Sequence, residues 1–402
     1  MKILEDILIN KIKPHFQKGG KFEKFFYAYD AHETLLFVPD HTTKSGAHIR
    51  DSFDSKRMMM TVVIALIPCL LFGIYNAGYQ HFLSIGTKNP AFADVIIHGA
   101  LSVIPILITA YAVGLTLEMV FAISRGHEVS EGFLVSGMLI TLIVPPTIPL
   151  WQVAVATTFG VVIGLEVFGG TGMNVLNPAL VTRAFIFFAY PAYISGDKVW
   201  TYIGSNPVDG YSGATPLLFA SAKPDGAIVD ALHGFGAGWM PGGYSFENMF
   251  YGLIPGSIGE TSVIAILIGA LILIITGVGS WRTMLSVVIG GVVMALIFNF
   301  AADQMQLPAN HIFHLPPHYH LVMGGFMLGA VFMATDPVSS ASTNMGKWIY
   351  GFMIGAMAVL IRSFNPAYPE GMMLSILFWN VFAPFIDHYV VQSNIKRRLA
   401  RA

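Results

Sequence analysis

The most chemically specific residues of the chain form one loop motif, Asp209, Gly210, Tyr211, Ser212, Gly213, Ala214 and Thr215. A threonine hydroxyl at its ordinary pKa is a poor nucleophile, so Thr215 alone indicates little. Its small neighbours Gly213 and Ala214 would let a bulky group approach the backbone, and Asp209 supplies an acid six positions upstream. The motif is therefore either an attachment site for a bulky group or a Ser/Gly turn in a solvated loop.

The same motif resembles the acceptor sequence at which a flavin transferase esterifies FMN, through its phosphate, to a threonine. The resemblance implies a covalent FMN on Thr215, with the rest of the acceptor formed by Asp209, Ser212, Gly213 and Ala214. A flavin transferase would then be needed for maturation.

The composition is that of an integral membrane protein. Hydrophobic residues make up 54% of the chain and charged residues only 11%, and the mean hydropathy is +0.65. We therefore expect a multi-pass membrane protein without a nucleic-acid partner. The start of the chain lacks the pattern of a removable signal peptide, so the first span is expected to act as the insertion signal. Cys69 is the only cysteine, which excludes an internal disulfide and a four-cysteine iron–sulfur site.

Apolar runs long enough to cross about 30 Å of hydrocarbon predict ten membrane-spanning helices. The expected spans are 58–77, 95–123, 133–150, 151–168, 178–194, 261–279, 282–301, 319–335, 348–363 and 371–391. The expected organisation is a basic N-terminal arm, a first transmembrane half, an external loop, a second half and a basic tail, with boundaries 1–57, 58–194, 195–260, 261–391 and 392–402.

The placement of lysine and arginine predicts the orientation, because cytoplasmic loops are enriched in positive charge. With the N-terminus inside, seventeen Lys and Arg residues lie on the cytoplasmic side, ten of them in residues 1–57, and only three lie outside. Both termini are then cytoplasmic. The loop 195–260 is external, and Thr215 lies on the outer face. The basic, aromatic arm is expected to lie on the membrane surface or against a soluble partner.

The two halves share internal similarity. Pairs of prolines open one span in each half, at 145–146 and 316–317, and Asn-Pro-Ala follows at 177–179 and 365–367. Five spans per half would make the repeats inverted, as in many transporters whose site is formed by broken helices. We predict an all-α integral membrane protein with about ten transmembrane helices in two inverted five-helix repeats.

Ionisable residues within or near the spans are candidates for a functional role, because placing a charge at the bilayer centre is unfavourable by at least about 2.5–3.5 kcal/mol. The set comprises Glu118, Glu166, Arg183, Asp336, Arg362 and Asp387. Acids near an ion path can bind Na⁺ through their oxygens. Candidates for such a path are Glu118, Asp336 and Asp387, although each could equally cap a helix or pair with one of the two arginines. For Glu166 we expect a structural role.

Two other clusters have simpler interpretations. Prolines 316 and 317 interrupt a group of four histidines, His311, His314, His318 and His320. Packing at the membrane interface is favoured there over a metal site. The run 169–172, Gly-Gly-Thr-Gly, follows no strand, so we interpret it as irregular backbone lining a cavity rather than as a phosphate loop. Asn174 and Asn177 are then polar groups available to a ligand.

Eight motifs occur in order along the chain: GHEVSEGF (126–133), LIVPPTIPLW (142–151), EVFGGTGMNVLNPAL (166–180), DGYSGAT (209–215), IPGSIGE (254–260), FMATDPVS (332–339), NPAYPEGMML (365–374) and NIKRRLAR (394–401). Together they resemble the B subunits of the Na⁺-translocating NADH:quinone oxidoreductases. The resemblance implies a six-subunit complex of the bacterial inner membrane that oxidises NADH, reduces ubiquinone or menaquinone and exports Na⁺. Electrons would reach the covalent FMN on this chain, then a riboflavin in the same subunit, then quinone.

The resemblance also implies roles for individual residues. Asn174 and Asn177 match the riboflavin region. Positions tied to the quinone or inhibitor site correspond to Gly114, Glu118, Glu131 and Phe133, with Leu115 where the family usually has a second glycine. Acids linked to Na⁺ correspond to Asp30, Glu118, Asp336 and Asp387.

Two alternative functions are compatible with parts of this pattern. The D subunit of the Rnf ferredoxin:NAD⁺ oxidoreductases shares the fold and the threonyl flavin, but typically lacks a long basic arm such as 1–57. A flavin-free channel or solute transporter could be built on the same repeats, since fold does not fix function. The Ser-Gly-Ala-Thr loop argues against the latter, because a passive channel needs no attached redox cofactor.

Overall fold

The computed structural model describes residues 8, 11–17, 19–26, 29–30, 33, 43, 45–47, 55–87, 89–126, 132–203, 207–365 and 368–401. Every regular element longer than one turn in these ranges is helical. The first half contains five apolar helices: α1 (Ser55–Ser84), α2 (Phe92–Arg125), α3 (Gly132–Leu142), α4 (Leu150–Gly164) and α5 (Pro178–Ala189).

The second half contains five more helical segments. Four are continuous: α6 (Val263–Ile275), α7 (Trp281–Gln304), α9 (Asn344–Phe364) and α10 (Met372–Leu399). The remaining one, α8, is broken into Pro317–Val322, Phe326–Leu328 and the π-helical turn Gly329–Met333. The connection between the halves folds into three short helices, Pro216–Ser221, Ile228–Gly234 and Phe246–Tyr251.

The ten predicted spans all correspond to helical segments, which confirms the prediction of an all-α membrane protein. Within the described ranges, six helices are long and apolar enough to cross a membrane, and they contain α1, α2, α4, α7, α9 and α10. The helices α3, α5 and α6 are apolar but shorter.

Two predicted spans differ from the helices that the structure shows, and the last helix extends beyond its predicted span. The helix α3 ends at Leu142 rather than near residue 150, because Pro145, Pro146 and Pro149 lack the N–H groups that a continuing helix needs. The eighth span is interrupted at Gly324, whose φ of +59° suits glycine. The helix α10 continues past residue 391 to Leu399, so most of the expected tail belongs to the last helix.

Several helix contacts recur in the two halves when each helix is matched with the one five places later. In the first half α2 packs on α3 and α4, and α4 packs on α5; in the second half α7 packs on α8 and α9, and α9 packs on α10. The helix α1 contacts its own counterpart α6, and α5 contacts its own counterpart α10. The close packing of α1 on α2 has no comparable counterpart between α6 and α7. The inverted repeat stays a prediction, and the recurring pairs are those that a two-fold axis would produce.

Glycines let neighbouring helices approach closely in both halves. A Cβ atom on Gly99 of α2 would overlap the carbonyl oxygen of Ile74 on α1. One on Gly355 of α9 would overlap the carbonyl oxygen of Val287 on α7. Larger residues would push these pairs apart, so glycine fixes the separation of α1 from α2 and of α7 from α9.

Irregular backbone from the two halves meets inside the bundle. The N–H of Gly259 donates to the carbonyl oxygen of Leu142 at 2.7 Å, and the N–H of Ile258 donates to that of Val144 at 3.2 Å. Residues 254–260, which the sequence places at the end of the external loop, therefore pack against the end of α3. Non-helical backbone is tolerated there because protein groups satisfy its hydrogen bonds.

Candidate functional site

Thr215 is the capping residue at the start of the short helix Pro216–Ser221. Its Oγ1 accepts a hydrogen bond from the N–H of Leu218 at 3.3 Å. Proline at the first helical position costs nothing, because that N–H would be unpaired in any case. The side chain is half-buried and lines a cavity. Because the capping bond uses only a lone pair of Oγ1, the same oxygen can also carry an ester.

Close packing explains the small residues that precede the threonine. A Cβ atom on Gly213 would lie 2.6 Å from the carbonyl oxygen of Asp197. The hydroxyl of the buried Tyr244 donates to the carbonyl of Ala214, and Oγ of Ser212 accepts from the N–H of Ala214 at 3.3 Å. The loop is thus held in one conformation by its neighbours.

Asp209 lies apart from the cavity, exposed at the surface. The adjacent carbonyl of Gly210 accepts a hydrogen bond from the indole of Trp239 at 3.3 Å. The ring of Tyr211 also packs on Trp239, with centroids 4.6 Å apart, and burial raises the pKa of Tyr211 to about 12. Asp209 is therefore positioned to be recognised from solution rather than to contact a group in the cavity.

The cavity beside Thr215, here called the threonine cavity, has an apolar and a charged wall. The apolar wall includes Phe187, Ile194, Trp200, Ile254, Leu217 and Leu218. The polar wall consists of Arg183, Ser257, Glu260, Tyr368 and Glu370. Apolar walls with a few fixed polar groups suit a planar aromatic ligand.

The charged wall belongs to a buried ion cluster, here called the arginine–glutamate cluster, of Arg183, Glu260, Arg362 and Glu370. The guanidinium of Arg183 contacts Glu260, and it contacts Glu370 at 2.5 Å. The hydroxyl of Tyr368 donates to Glu370 at 3.3 Å. Deleting one partner of a buried pair costs about 3–5 kcal/mol because the other charge is left unpaired. Each member is therefore held by the others.

Arg362 on α9 anchors this cluster to the second half. It donates to three backbone carbonyls, those of Glu370, His320 and Met323, at 2.7, 2.5 and 2.9 Å. The break in α8 packs against the same group: a Cβ atom on Gly325 would lie 2.6 Å from Oε1 of Glu260 and 2.7 Å from Oε1 of Glu370. Glycine in the break thus brings backbone directly against both carboxylates.

A second cavity, here called the asparagine cavity, lies at the other end of α5. Its polar lining includes Ser136, Thr171, Asn174, Asn177 and Asp336, and its apolar lining includes Met58, Met59, Leu139, Leu165 and Phe332. The hydroxyl of Thr171 is buried without a hydrogen-bond partner among the described residues. An unpaired buried hydroxyl costs about 1–3 kcal/mol and is rare, so Thr171 is available to a ligand in this cavity.

The two asparagines shape the backbone around this cavity. Nδ2 of Asn174 donates to the carbonyl of Leu176 at 3.0 Å. Oδ1 of Asn177 caps α5 by accepting from the N–H of Ala179 at 3.0 Å, and its Nδ2 donates to Asp336 at 3.2 Å. Both predicted flavin-region residues thus line one cavity, together with a predicted acid.

The helix α5 connects the two cavities. Asn177 stands at its start, whereas Arg183 and Phe187 on its later turns line the threonine cavity. Six residues of α-helix rise about 9 Å. The two cavities are therefore separated by a short length of one helix.

Three of the four predicted quinone-site residues lie together on α2 and α3. A Cβ atom on Gly114 would overlap the ring of Phe133, and Glu118 follows one turn later on the same face of α2. Glu118 is buried, and its Oε1 has no hydrogen-bond partner in the part of the chain that the structure describes. Glu131 lies outside the described residues. Asp30 on the N-terminal arm follows Tyr29, whose hydroxyl donates to the carbonyl oxygen of Leu8 at 2.7 Å.

The other predicted acids have structural partners. Glu166 pairs with Arg125 at 2.7 Å. Asp387 accepts hydrogen bonds at the start of α9, from the N–H of Ser342 at 2.6 Å and that of Thr343 at 3.0 Å. Across the described ranges, no three His, Cys, Asp or Glu side chains are grouped closely enough to hold a metal ion.

The four histidines around α8 lie in different surroundings. Nδ1 of His311 accepts from the N–H of Phe313 at 3.2 Å, and burial lowers the pKa of His311. His314 contacts a backbone carbonyl, and His318 packs against aromatic rings. His320 is buried within α8. Each ring is placed by its own local contacts.

These features define a class: a multi-pass helical membrane protein with two interior cavities, one of which is lined by a threonine on the connection between its halves. The chain belongs to the NQR2, RnfD, RnfE family, which matches residues 42–396. This confirms the resemblance seen in the sequence motifs.

Curated relatives cover nearly the whole chain, and each is named as the B subunit of a Na(+)-translocating NADH-quinone reductase. The relative from Chromohalobacter salexigens is 48% identical over 414 residues, which are 98% of this chain and 95% of the relative. Those from Stutzerimonas stutzeri and Neisseria meningitidis are 48% and 46% identical, with 98% of both chains covered in each case.

The sequence analysis missed the role of Glu260 and Glu370. Glu260 was placed among the acids of the external loop, yet it is buried against Arg183. The sequence did contain a signal for this pairing. An arginine within a span requires an acidic partner, and both glutamates stand immediately before a predicted span, where they could reach one. Nothing in the sequence singles out the unpaired hydroxyl of Thr171.

Proposed function

We propose that this chain is the flavin-carrying membrane subunit of a Na⁺-translocating NADH:quinone oxidoreductase in a bacterial inner membrane. It carries FMN esterified to Thr215 and a non-covalent riboflavin in the asparagine cavity. Together with five other subunits it passes electrons to ubiquinone or menaquinone, coupled to Na⁺ export. The observation that carries the proposal is the placement of Thr215, in its acceptor motif, on the wall of a cavity.

The residues present fit both flavins. In the threonine cavity, the rings of Phe187 and Tyr368 meet edge to face with centroids 4.4 Å apart, beside the guanidinium of Arg183. In the asparagine cavity, the unpaired hydroxyl of Thr171 and the amide of Asn174 are polar groups that a flavin ring system could engage. A flavin at either place supplies one- and two-electron transfer.

The chain's own residues position these carriers and exclude water. The helix α5 places the two cavities a short distance apart, so that electrons cross the bundle without a large motion of the chain. The charge distribution of the loops favours cytoplasmic termini and a threonine cavity at the outer face. Na⁺ transport then requires that the redox state changes the free energy of a Na⁺ site, since coupling is a difference between two states.

The test is in-gel flavin fluorescence of the denatured subunit, from the complex expressed with its flavin transferase. Wild type is expected to fluoresce and Thr215→Ala to be dark. Ser221→Ala is the matched control, because this hydroxyl lies at the far end of the same short helix and outside the cavity. It should fluoresce as wild type does. A dark wild-type band, with the transferase active on a control acceptor, would favour the flavin-free transporter instead.

The Rnf-type alternative shares the family but is less well supported. The curated relatives described above carry the name of the Na⁺-translocating reductase and align over 98% of this chain, including much of the basic arm. The electron donor distinguishes the two complexes. Membranes containing the complex should reduce quinone with NADH as the electron donor, and reduced ferredoxin with NAD⁺ as acceptor should support no electron transfer.

A further inference from the structure

Charged side chains line the threonine cavity on the side of the bundle interior. One guanidinium, Arg183, and two carboxylates, Glu260 and Glu370, form this wall. Their side chains are only 4%, 6% and 14% exposed, so water does little to screen them. The second cation of the cluster, Arg362, does not line the cavity; it holds Glu370 through the backbone carbonyl of that residue. The ionic groups on the wall itself are thus two carboxylates and one guanidinium, and Arg362 behind them balances the formal charge of the cluster as a whole.

The position of the two carboxylates bears on any redox group in the cavity. Reduction adds electrons to a flavin ring system, so its negative charge rises unless protons follow. Within a few ångströms and at low dielectric constant, fixed charges act strongly on such a change. An ionised carboxylate on the wall therefore opposes reduction, and its removal should favour the reduced form.

The fold holds the carboxylates in this position. Arg183 binds both, and the break of α8 at Gly325 packs on both. A side chain at position 325 would collide with both carboxylates, because its Cβ atom would lie 2.6 Å from Oε1 of Glu260 and 2.7 Å from Oε1 of Glu370. The carboxylates are thus fixed relative to the cavity rather than free to turn away from it.

We propose that Glu260 and Glu370 are positioning residues that lower the reduction potential of the flavin on Thr215, with Arg183 and Arg362 fixing them at the cavity wall. The inference rests on the proposed attachment of FMN to Thr215. A lower potential of this flavin favours onward electron transfer along α5 to the asparagine cavity.

The experiment is a redox titration of the purified complex, with the Thr215→Ala complex providing the baseline so that the difference reports the Thr215 flavin. Glu260→Gln removes the charge but keeps an oxygen for Arg183. It should shift the equilibrium of two-electron reduction at least tenfold toward the reduced form, about 30 mV to higher potential. Glu370→Gln should shift it in the same direction, which keeps the test available if the first variant does not assemble. Glu247→Gln, an exposed acid outside the cavity, is the matched control and should leave the potential unchanged.

The two proposals fail in different ways. Fluorescent bands in all variants, with potentials equal to that of wild type, would overturn the role of the carboxylates while leaving the attachment of FMN intact. A shift to lower potential in either glutamine variant would also overturn it. A dark wild-type band would remove both the flavin attachment and the inference that depends on it.

Discussion

Asn177 and Asp336 are joined by a hydrogen bond of 3.2 Å, which links the start of α5 in the first half to the turn after α8 in the second. Each residue also organises its own segment. Asn177 caps α5, and Asp336 accepts from the N–H of Val338 at 3.0 Å and the hydroxyl of Ser339 at 2.9 Å. One pair of side chains thus shapes two loops and a cavity wall at once.

Substitution of Asn177 should separate these roles. Asn177→Ala removes the cap, worth about 1 kcal/mol, together with the link to Asp336. Asn177→Asp keeps a capping oxygen but places a second carboxylate beside Asp336, so we expect it to lower the melting temperature as well. Gln392→Ala, at an exposed site on α10, is the control. The measurement is thermal unfolding of the complex in detergent. If Asn177→Asp melts at the same temperature as the wild type, the link to Asp336 contributes nothing to stability.

Thr171→Val should lower the content of non-covalent flavin without destabilising the protein. The hydroxyl has no partner among the described residues, so its removal loses no protein hydrogen bond and relieves an unpaired polar group. Flavin extracted from the purified complex, measured by chromatography, gives the riboflavin content. Thr158→Val on the surface of α4 should retain a full complement. Undiminished riboflavin in Thr171→Val would separate this hydroxyl from the ligand.

Glu118→Gln and Asp387→Asn test the proposed Na⁺ path. Glu118 has a buried, unpaired oxygen among the described residues, whereas Asp387 already accepts hydrogen bonds at the start of α9. We expect either change to slow Na⁺-dependent quinone reduction, and Asp387→Asn also to reduce thermal stability. The readout is the rate of quinone reduction against Na⁺ concentration, normalised to folded complex. An unaltered Na⁺ response in both variants removes these acids from the path.

The loop before α8 should loosen in mild acid. Neutral His311 accepts a hydrogen bond from the N–H of Phe313, and burial lowers the pKa of His311, with a smaller effect from Lys223. The unfolded state then binds the proton more readily, so the stabilisation is present above the ordinary histidine pKa of about 6.5 and is lost as the pH falls below it. The protection factor of the Phe313 amide, which is its exchange rate relative to the intrinsic rate at the same pH, should fall over that interval. His311→Asn should make this protection factor independent of the titration, and full protection of the wild-type amide below the interval would contradict the prediction.

Length and composition were enough to predict ten helical segments, because an apolar run in a membrane has few alternatives to a helix. They could not predict where α3 stops or where α8 breaks. The prolines at 145 and 146 indicate a corner, since they offer no N–H to a preceding helix, but the groups that satisfy the freed carbonyls of Leu142 and Val144 are the N–H groups of Gly259 and Ile258. Those partners lie more than a hundred residues away, where no local pattern can reveal them.

The residues of the candidate site were likewise only partly predictable from the sequence. Thr215, Asn174 and Asn177 were accessible from motifs, and the structure places them on two cavities. The cluster of Arg183 with Glu260 and Glu370 depends on three segments that only the tertiary fold brings together. Its charges could be listed from the sequence, but their pairing could not.

The backbone pairing of residues 258–259 with residues 142 and 144 also constrains mechanics. Two hydrogen bonds tie the halves together in the interior, where no bulk water can replace them once broken. Sliding of one half past the other at this level would expose four unpaired backbone groups. If the protein moves to open a path for an ion, we therefore expect these two hydrogen bonds to stay intact. The largest displacements should then occur at helix ends far from residues 142–144 and 258–259.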